Sequence, residues 1–118
     1  AYDKYSHDIS SLVPELRHLV LEGEKRGKLT AFSETGSEGI KHVNYWTENL
    51  IDPLKKDSIA KKLSYVMVWR NSSSNPDHYY APYPGHPSIP NFLEMIKDPF
   101  VLFMDDLKRK KIYRRRAR

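Results

Sequence analysis

Apolar residues recur along this chain in two rhythms, one suited to helices and one to strands, and the two alternate. Leu12, Val13, Leu16, Leu19 and Val20 follow the pair Ser10-Ser11 at spacings that gather them on one helix face. The spacing predicts a helix of about four turns, with Pro14 tolerable only in the first. A charged exit from Glu22 to Lys28, containing Gly23 and Gly27, leads within a few residues to Leu29, Ala31 and Phe32, which suit a buried strand. That strand runs into Glu34 and is cut off by Thr35-Gly36-Ser37-Glu38-Gly39, whose two glycines favour a turn. Helical spacing returns between Asn44 and Leu54, where Trp46, Leu50, Ile51 and Leu54 recur and Pro53 predicts a break or kink. Lys55 to Lys62 reads as polar connection or a further half-helix. Leu63 to Asn71 is β-branched and aromatic, a second buried strand that ends in Trp69, Arg70 and Asn71. The stretch from Ser72 to Pro90 is rich in proline and aromatic residues, among them Tyr79, Tyr80, Tyr83 and His86, and reads as a long loop. Asn91 is placed to cap a last helix with Phe92, Leu93 and Ile96 on one face. Pro99 interrupts, and Phe100, Leu102, Phe103 and Leu107 supply another apolar stripe.

The order helix, strand, helix, strand, loop, helix implies an α/β chain with parallel strands joined by right-handed crossovers. Parallel sheets are covered on both faces, so two such strands predict the end of a larger βα repeat protein.

Composition adjusts this picture in three places. At 118 residues, with 39% apolar and 30% charged side chains, the chain has the size of one domain or part of one. It has no cysteine, which removes disulfides, thiolate nucleophiles and Cys-based zinc sites. No apolar run approaches the roughly 18 residues that span a bilayer, so no membrane partner is expected, and Ala1-Tyr2-Asp3-Lys4 has no signal-peptide pattern. The net charge of +5 is uneven. Eight of the 20 basic residues fall within 108–118, predicting a solvated, disordered tail, while residues 1–107 carry 12 basic against 15 acidic side chains. That slightly acidic body does not support a nucleic-acid surface.

If the two strands are adjacent and parallel, Glu34 and the pair Trp69-Arg70, 35 residues apart, emerge on one rim. The C-terminal ends of parallel strands are where ligands and catalytic groups collect. An acid, an aromatic face and a guanidinium in one cleft suit a sugar: the ring stacks on the aromatic and the polar groups bond its hydroxyls. Taken locally, Glu34 also reads as a solvated or helix-capping acid, Trp69 as a core aromatic, and the tyrosine-rich loop as rim packing. The five histidines show no metal-ligand spacing, and no cofactor is expected.

Four segments in this order carry a resemblance: Leu29-Thr30-Ala31-Phe32-Ser33-Glu34-Thr35-Gly36; Val66-Met67-Val68-Trp69-Arg70-Asn71; His78 to His86; and Asp98-Pro99-Phe100 before Leu102-Phe103. Together, over residues 1–107, they resemble the C-terminal part of glycoside hydrolase family 26, the β-mannanases. The resemblance implies a (β/α)8 barrel of which this chain holds about strand seven, strand eight and their helices. It implies a retaining endo-β-1,4-mannanase acting on mannan or manno-oligosaccharides, secreted or at the cell envelope. Glu34 is then similar to the catalytic nucleophile at the end of strand seven. Tyr5, in Asp3-Lys4-Tyr5, is similar to the tyrosine after strand six that orients the nucleophile by a hydrogen bond. Trp69 is similar to the aromatic platform beneath the sugar, Arg70 to a contact with the neighbouring sugar, and Tyr80 and Tyr83 border the cleft. The family's acid/base sits at the end of strand four in a His-Glu motif that this chain lacks, and Glu38 is poorly placed to substitute. A retaining glycosidase needs both carboxyl groups, roughly 5 to 5.5 Å apart. The chain alone is therefore expected to be inactive and to need the rest of the barrel or a second copy as partner; the alternative is a non-catalytic carbohydrate-binding remnant of the same fold.

Overall fold

The computed structural model describes residues 9–112. A 3₁₀ turn, Ile9–Leu12, leads into α1, Val13–Lys25, with Pro14 in its first turn as the sequence requires. Leu16 and Val20 are buried and Leu12 and Val13 pack against the same core, whereas Leu19 turns out of that face to 39% exposure. The helix closes in a Schellman motif: Lys28 N–H donates to the Gly23 carbonyl at 2.8 Å and Gly27 N–H to that of Glu24 at 3.1 Å. The chain thereby reverses over Gly23 toward the sheet.

The sheet is a parallel pair, β1 (Phe32–Thr35) and β2 (Val66–Val68). Backbone bonds extend the pairing at both ends, from Ser64 N–H to Thr30 O at 2.8 Å and from Trp69 N–H to Thr35 O at 2.9 Å. Both strands are shorter than their apolar runs predict. Leu29, expected inside, is 90% exposed, and Tyr65 and Met67 stand about half exposed. Phe32, Val66 and Val68 pack on the core from one face of the sheet, and among the described residues nothing covers the other. Beside Leu29 opens an apolar groove of 1020 Å³ bounded by the sheet, Phe92 and the Phe100–Leu107 stripe.

The crossover between the strands supplies most of the core. Tyr45–Ile51 form a π-helical turn that runs into α2, Asp52–Lys56. The kink expected at Pro53 thus takes the form of a widened turn before it. Proline has no N–H to give and its ring crowds the carbonyl four residues back; Asp52 N–H reaches Thr47 O instead, one residue further than an α-helical bond. This turn buries Tyr45, Trp46, Leu50 and Ile51, and α2 adds Leu54. The Trp46 ring meets Tyr45 and Phe92 edge to face, at 5.2 and 4.9 Å. The Tyr45 hydroxyl is buried without a hydrogen-bond partner among the described residues. Burial raises its pKa above the ordinary tyrosine value.

After α2, Asp57 accepts bonds from Ile59 N–H (2.9 Å) and Ala60 N–H (2.8 Å) and pairs with Arg17 of α1 at 2.8 Å. The stretch from Lys55 to Lys62, read as polar connection or a further half-helix, holds the end of α2 and a single 3₁₀ turn, Ala60–Lys62. The last helical stretch holds a correction. Asn91 does not cap it; α3 spans Ile89–Lys97, with Pro90 in its first turn, where its missing N–H costs nothing. Asn91 is instead buried and bridges to the π-helical turn, accepting from Thr47 N–H at 3.1 Å and donating to Thr47 Oγ1 at 2.7 Å. The inward face of α3 is therefore Asn91, Phe92 and Met95, while Leu93 and Ile96 face outward. Beyond Pro99, α4 (Met104–Arg109) carries the apolar stripe into the first two residues of the basic segment.

Candidate active site

The register of the two strands positions Glu34. Phe32 faces Val66 and Thr35 faces Val68, so three steps along β1 match two along β2 and β1 carries a bulge. A bulge sets two residues opposite one and turns the strand locally. Ser33 and Glu34, both exposed, are those two residues, against Met67 on the uncovered face, while Phe32 and Thr35 return to the covered side. One position later Trp69 N–H bonds Thr35 O, so the half-buried Trp69 and the exposed Arg70 leave β2 on the same rim as Glu34.

Gly36 makes the exit from β1 possible. Its φ is +125°, and a Cβ built there would lie 2.7 Å from Tyr80 Cδ1. Tyr80 is 3% exposed and lies under this turn rather than at its surface. Tyr83 is 49% exposed and stands edge-on to Tyr79 (5.3 Å) and His86 (5.2 Å), two rings that hold its own in place. The two tyrosines read together from the sequence thus occupy different environments.

The loop after β2 is closed at its base by Asn71. Its Oδ1 accepts from Tyr80 and Ala81 N–H, each at 2.9 Å, and its Nδ2 donates to Ala81 O at 3.0 Å. Across the rim, His78 Nδ1 lies 2.6 Å from Glu38 Oε1, which commits the Glu38 carboxylate to an ion-pair geometry with His78. Beside that pair, Tyr79 takes both backbone groups of Gly39: Gly39 N–H donates to Tyr79 O at 2.9 Å and Tyr79 Oη donates to Gly39 O at 3.0 Å. Behind it runs a buried chain. Trp46 Nε1–H donates to Ser88 Oγ (3.2 Å), and Ser88 N–H donates to His86 Nδ1 (3.1 Å). An accepting Nδ1 places the ring proton on Nε2, which faces Tyr79 Oη at 3.2 Å. Asn71, Tyr79, His86 and Ser88 were not singled out as anchors by sequence reasoning. The signal available for them was slight: a side chain with both donor and acceptor at a strand exit, and a His two residues before a Ser. Tyr5 lies outside the described residues.

The rim therefore offers an exposed carboxylate, an indole, a guanidinium and a braced phenol ring. The apolar groove includes none of Glu34, Trp69, Arg70 or Tyr83 and belongs to the sheet's other side. Among the described residues no cluster of three His, Cys, Asp or Glu is close enough to hold a metal ion.

Parallel strands joined by a helical crossover, with polar groups gathered at their C-terminal ends, fit a section of a (β/α)8 barrel. Solved structures specify the barrel further, although no family model matches the chain. The family 26 β-mannanase of Bacteroides ovatus is 38% identical with a TM-score of 0.73, the match covering 86% of this chain and 30% of that one. The modular endo-β-1,4-mannanase of Cellulomonas fimi is 25% identical with a TM-score of 0.74, over 90% of this chain and 25% of that one. The catalytic domain of a family 26 endo-β-1,4-mannanase from a Bacillus species is 25% identical with a TM-score of 0.72, over 83% and 28%. The resemblance to glycoside hydrolase family 26 thus holds in three dimensions, and the chain has the fold of the C-terminal part of that catalytic barrel. It spans 25 to 30% of the length of these three solved structures.

Proposed function

We propose that this chain carries the nucleophile half of a retaining endo-β-1,4-mannanase, with Glu34 as the nucleophile. The observation that supports it most is the backbone bond from Trp69 N–H to Thr35 O, which pairs the ends of the two strands that carry Glu34 and Trp69. In this reading the Glu34 carboxylate attacks the anomeric carbon of a mannosyl unit as the glycosidic C–O bond breaks. The leaving oxygen takes a proton from a carboxylic acid supplied by the rest of the barrel. Water then attacks the glycosyl-enzyme ester, losing its proton to that same group, and Glu34 is released. Trp69 gives the reacting sugar a flat apolar face, Arg70 bonds hydroxyls of its neighbour, and Tyr83 extends the aromatic border. Tyr80, beneath Gly36, serves the shape of the turn, and Tyr5 orients Glu34. The substrate is a mannan or manno-oligosaccharide, met by the protein as a secreted or envelope enzyme.

In the intact protein, Glu34→Ala is expected to abolish turnover while leaving oligomannoside binding largely in place, because Trp69 and Arg70 supply contact without chemistry. An activated mannoside with a slow second step should leave its adduct on the peptide containing Glu34, read by mass spectrometry. Retained turnover, or a label on another peptide, refutes the assignment. A protein that binds oligomannosides yet forms no adduct and releases no product is instead the non-catalytic carbohydrate-binding relative.

A further inference from the structure

We propose that Tyr79 is a positioning residue for Glu34, holding the segment that leaves the nucleophile in the conformation the reaction uses; this rests on the reading of Glu34 given under the proposed function. The strand ladder ends at the Thr35–Trp69 bond, and the chain beyond Thr35 leaves regular strand geometry. Gly39 has φ +72° and Ile40 has φ +44°, a left-handed pair in which the second residue is β-branched and 2% exposed. A β-branched residue does not stay there unless its surroundings hold it. Core packing and an N–H bond to Ser37 O at 3.1 Å hold Ile40, and Tyr79 holds its neighbour Gly39. It takes the N–H of Gly39 on its own carbonyl and gives its hydroxyl proton to the Gly39 carbonyl, so one residue satisfies both backbone groups of another across the rim.

The contact is one of two rungs in step. Glu38 meets His78 at 2.6 Å, and the next residue on each loop, Gly39 and Tyr79, makes the backbone and hydroxyl bonds. The first rung leans on the buried Tyr80 ring, which His78 meets edge to face at 5.4 Å; the second is tied inward by hydrogen bonds. The Tyr79 hydroxyl accepts from His86 Nε2–H, and His86 is held through Ser88 by the buried Trp46. The loop that carries Glu34 is thereby referenced to the hydrophobic core instead of to solvent. Glu34 lies five residues from this anchor on a bulged strand end, where small backbone shifts move a side chain directly. Reacting groups must be held within a fraction of an ångström, and a misplacement of about 1 Å costs on the order of a hundredfold in rate.

Tyr79→Phe tests this in the intact protein, because it removes one oxygen and keeps the ring contacts with Tyr83 and His86. The expected result is a fall of about tenfold to a hundredfold in kcat and in the rate of adduct formation, with KM within about twofold of the parent. Hydrogen exchange should quicken in the peptide spanning 36–44. Glu38→Ala removes the neighbouring, half-exposed rung, and should lower kcat in the same direction by less, which keeps a reading available if Tyr79→Phe folds poorly. Unchanged kcat in a folded Tyr79→Phe variant, or in Glu38→Ala where Tyr79→Phe folds poorly, overturns the proposal, as does a kcat loss that merely tracks a loss of folded protein. Glu34→Ala is assayed in parallel. If it kills turnover while Tyr79→Phe leaves kcat intact, positioning alone is refuted; if Glu34→Ala retains turnover, the nucleophile assignment falls and this one with it.

Discussion

Replacing Gly36 by alanine probes the turn on which the rim depends. Two terms oppose the substitution. At φ +125° an L-residue sits in backbone space that glycine alone enters freely, a cost of roughly 1 to 3 kcal/mol. The new methyl also meets Tyr80, 2.7 Å from Cδ1, 3.4 Å from Cβ and 3.5 Å from Cγ. With the base of the ring this close and the side chain only 3% exposed, the ring cannot swing clear, and such overpacking costs roughly another 1 to 3 kcal/mol. One term favours alanine: a less flexible unfolded chain returns about 0.4 to 1 kcal/mol. The net is a destabilisation of about 1 to 5 kcal/mol, a large share of the roughly 5 to 15 kcal/mol that holds a domain folded. Urea unfolding of the intact protein measures it. The Tyr80→Ala background separates the terms, since removing the ring abolishes the clash and leaves the backbone cost. The cycle should therefore return a coupling of about 1 to 3 kcal/mol between the two sites. A neutral Gly36→Ala variant, or one whose cost is the same with and without Tyr80, would show that the ring does not press on this turn.

Two polar contacts in the frame carry further expected outcomes. Asp57 titrates near 2 because Ala60 N–H, then Arg17, then Ile59 N–H stabilise its carboxylate. A carboxyl whose pKa is depressed by folding adds stability above its unfolded value of about 3.9 and loses it as pH falls toward 2, so Asp57→Asn should flatten the acid limb of stability between about pH 4 and pH 2; superimposable limbs would rule this out. Asn91→Ala leaves Thr47 N–H without its acceptor in a part-buried site and should cost about 1 to 3 kcal/mol in urea unfolding, whereas Asn91→Asp retains the acceptor and should cost less. Equal losses in the two variants would mean that the acceptor is not what matters.

The alternation of helical and strand spacing was enough to read the α/β order and the parallel strand pair, because each rhythm reports a side chain's neighbours on its own element. It failed where the neighbours lie far away in sequence. Leu29 looks buried by composition and is exposed, since its burial depends on what lies across the sheet edge and not on residues beside it. Asn91 looks like a cap because asparagine usually is one, yet a partner 44 residues earlier claims both ends of its amide. The π-helical turn before Pro53 is a third case: proline announces a disruption without specifying whether the chain breaks, bends or widens.

The site was legible to a different degree. Two apolar runs that each end in polar side chains placed Glu34, Trp69 and Arg70 on one rim, and a parallel pair with one crossover makes the strands adjacent. What no local pattern carries is the bulge. With regular alternation, Glu34 would share the covered face of Phe32, and the carboxylate would sit against Val66 and Val68 with nothing to pair it. The extra residue between Phe32 and Thr35 reverses that outcome. It sends Glu34 to the uncovered face with Met67 and returns Thr35 to the covered side, while the Thr35 carbonyl, in the plane of the sheet, still receives Trp69 N–H. The exposure of the acid is thus a consequence of one change in register, and the positive φ at Gly36 turns the chain away immediately after it.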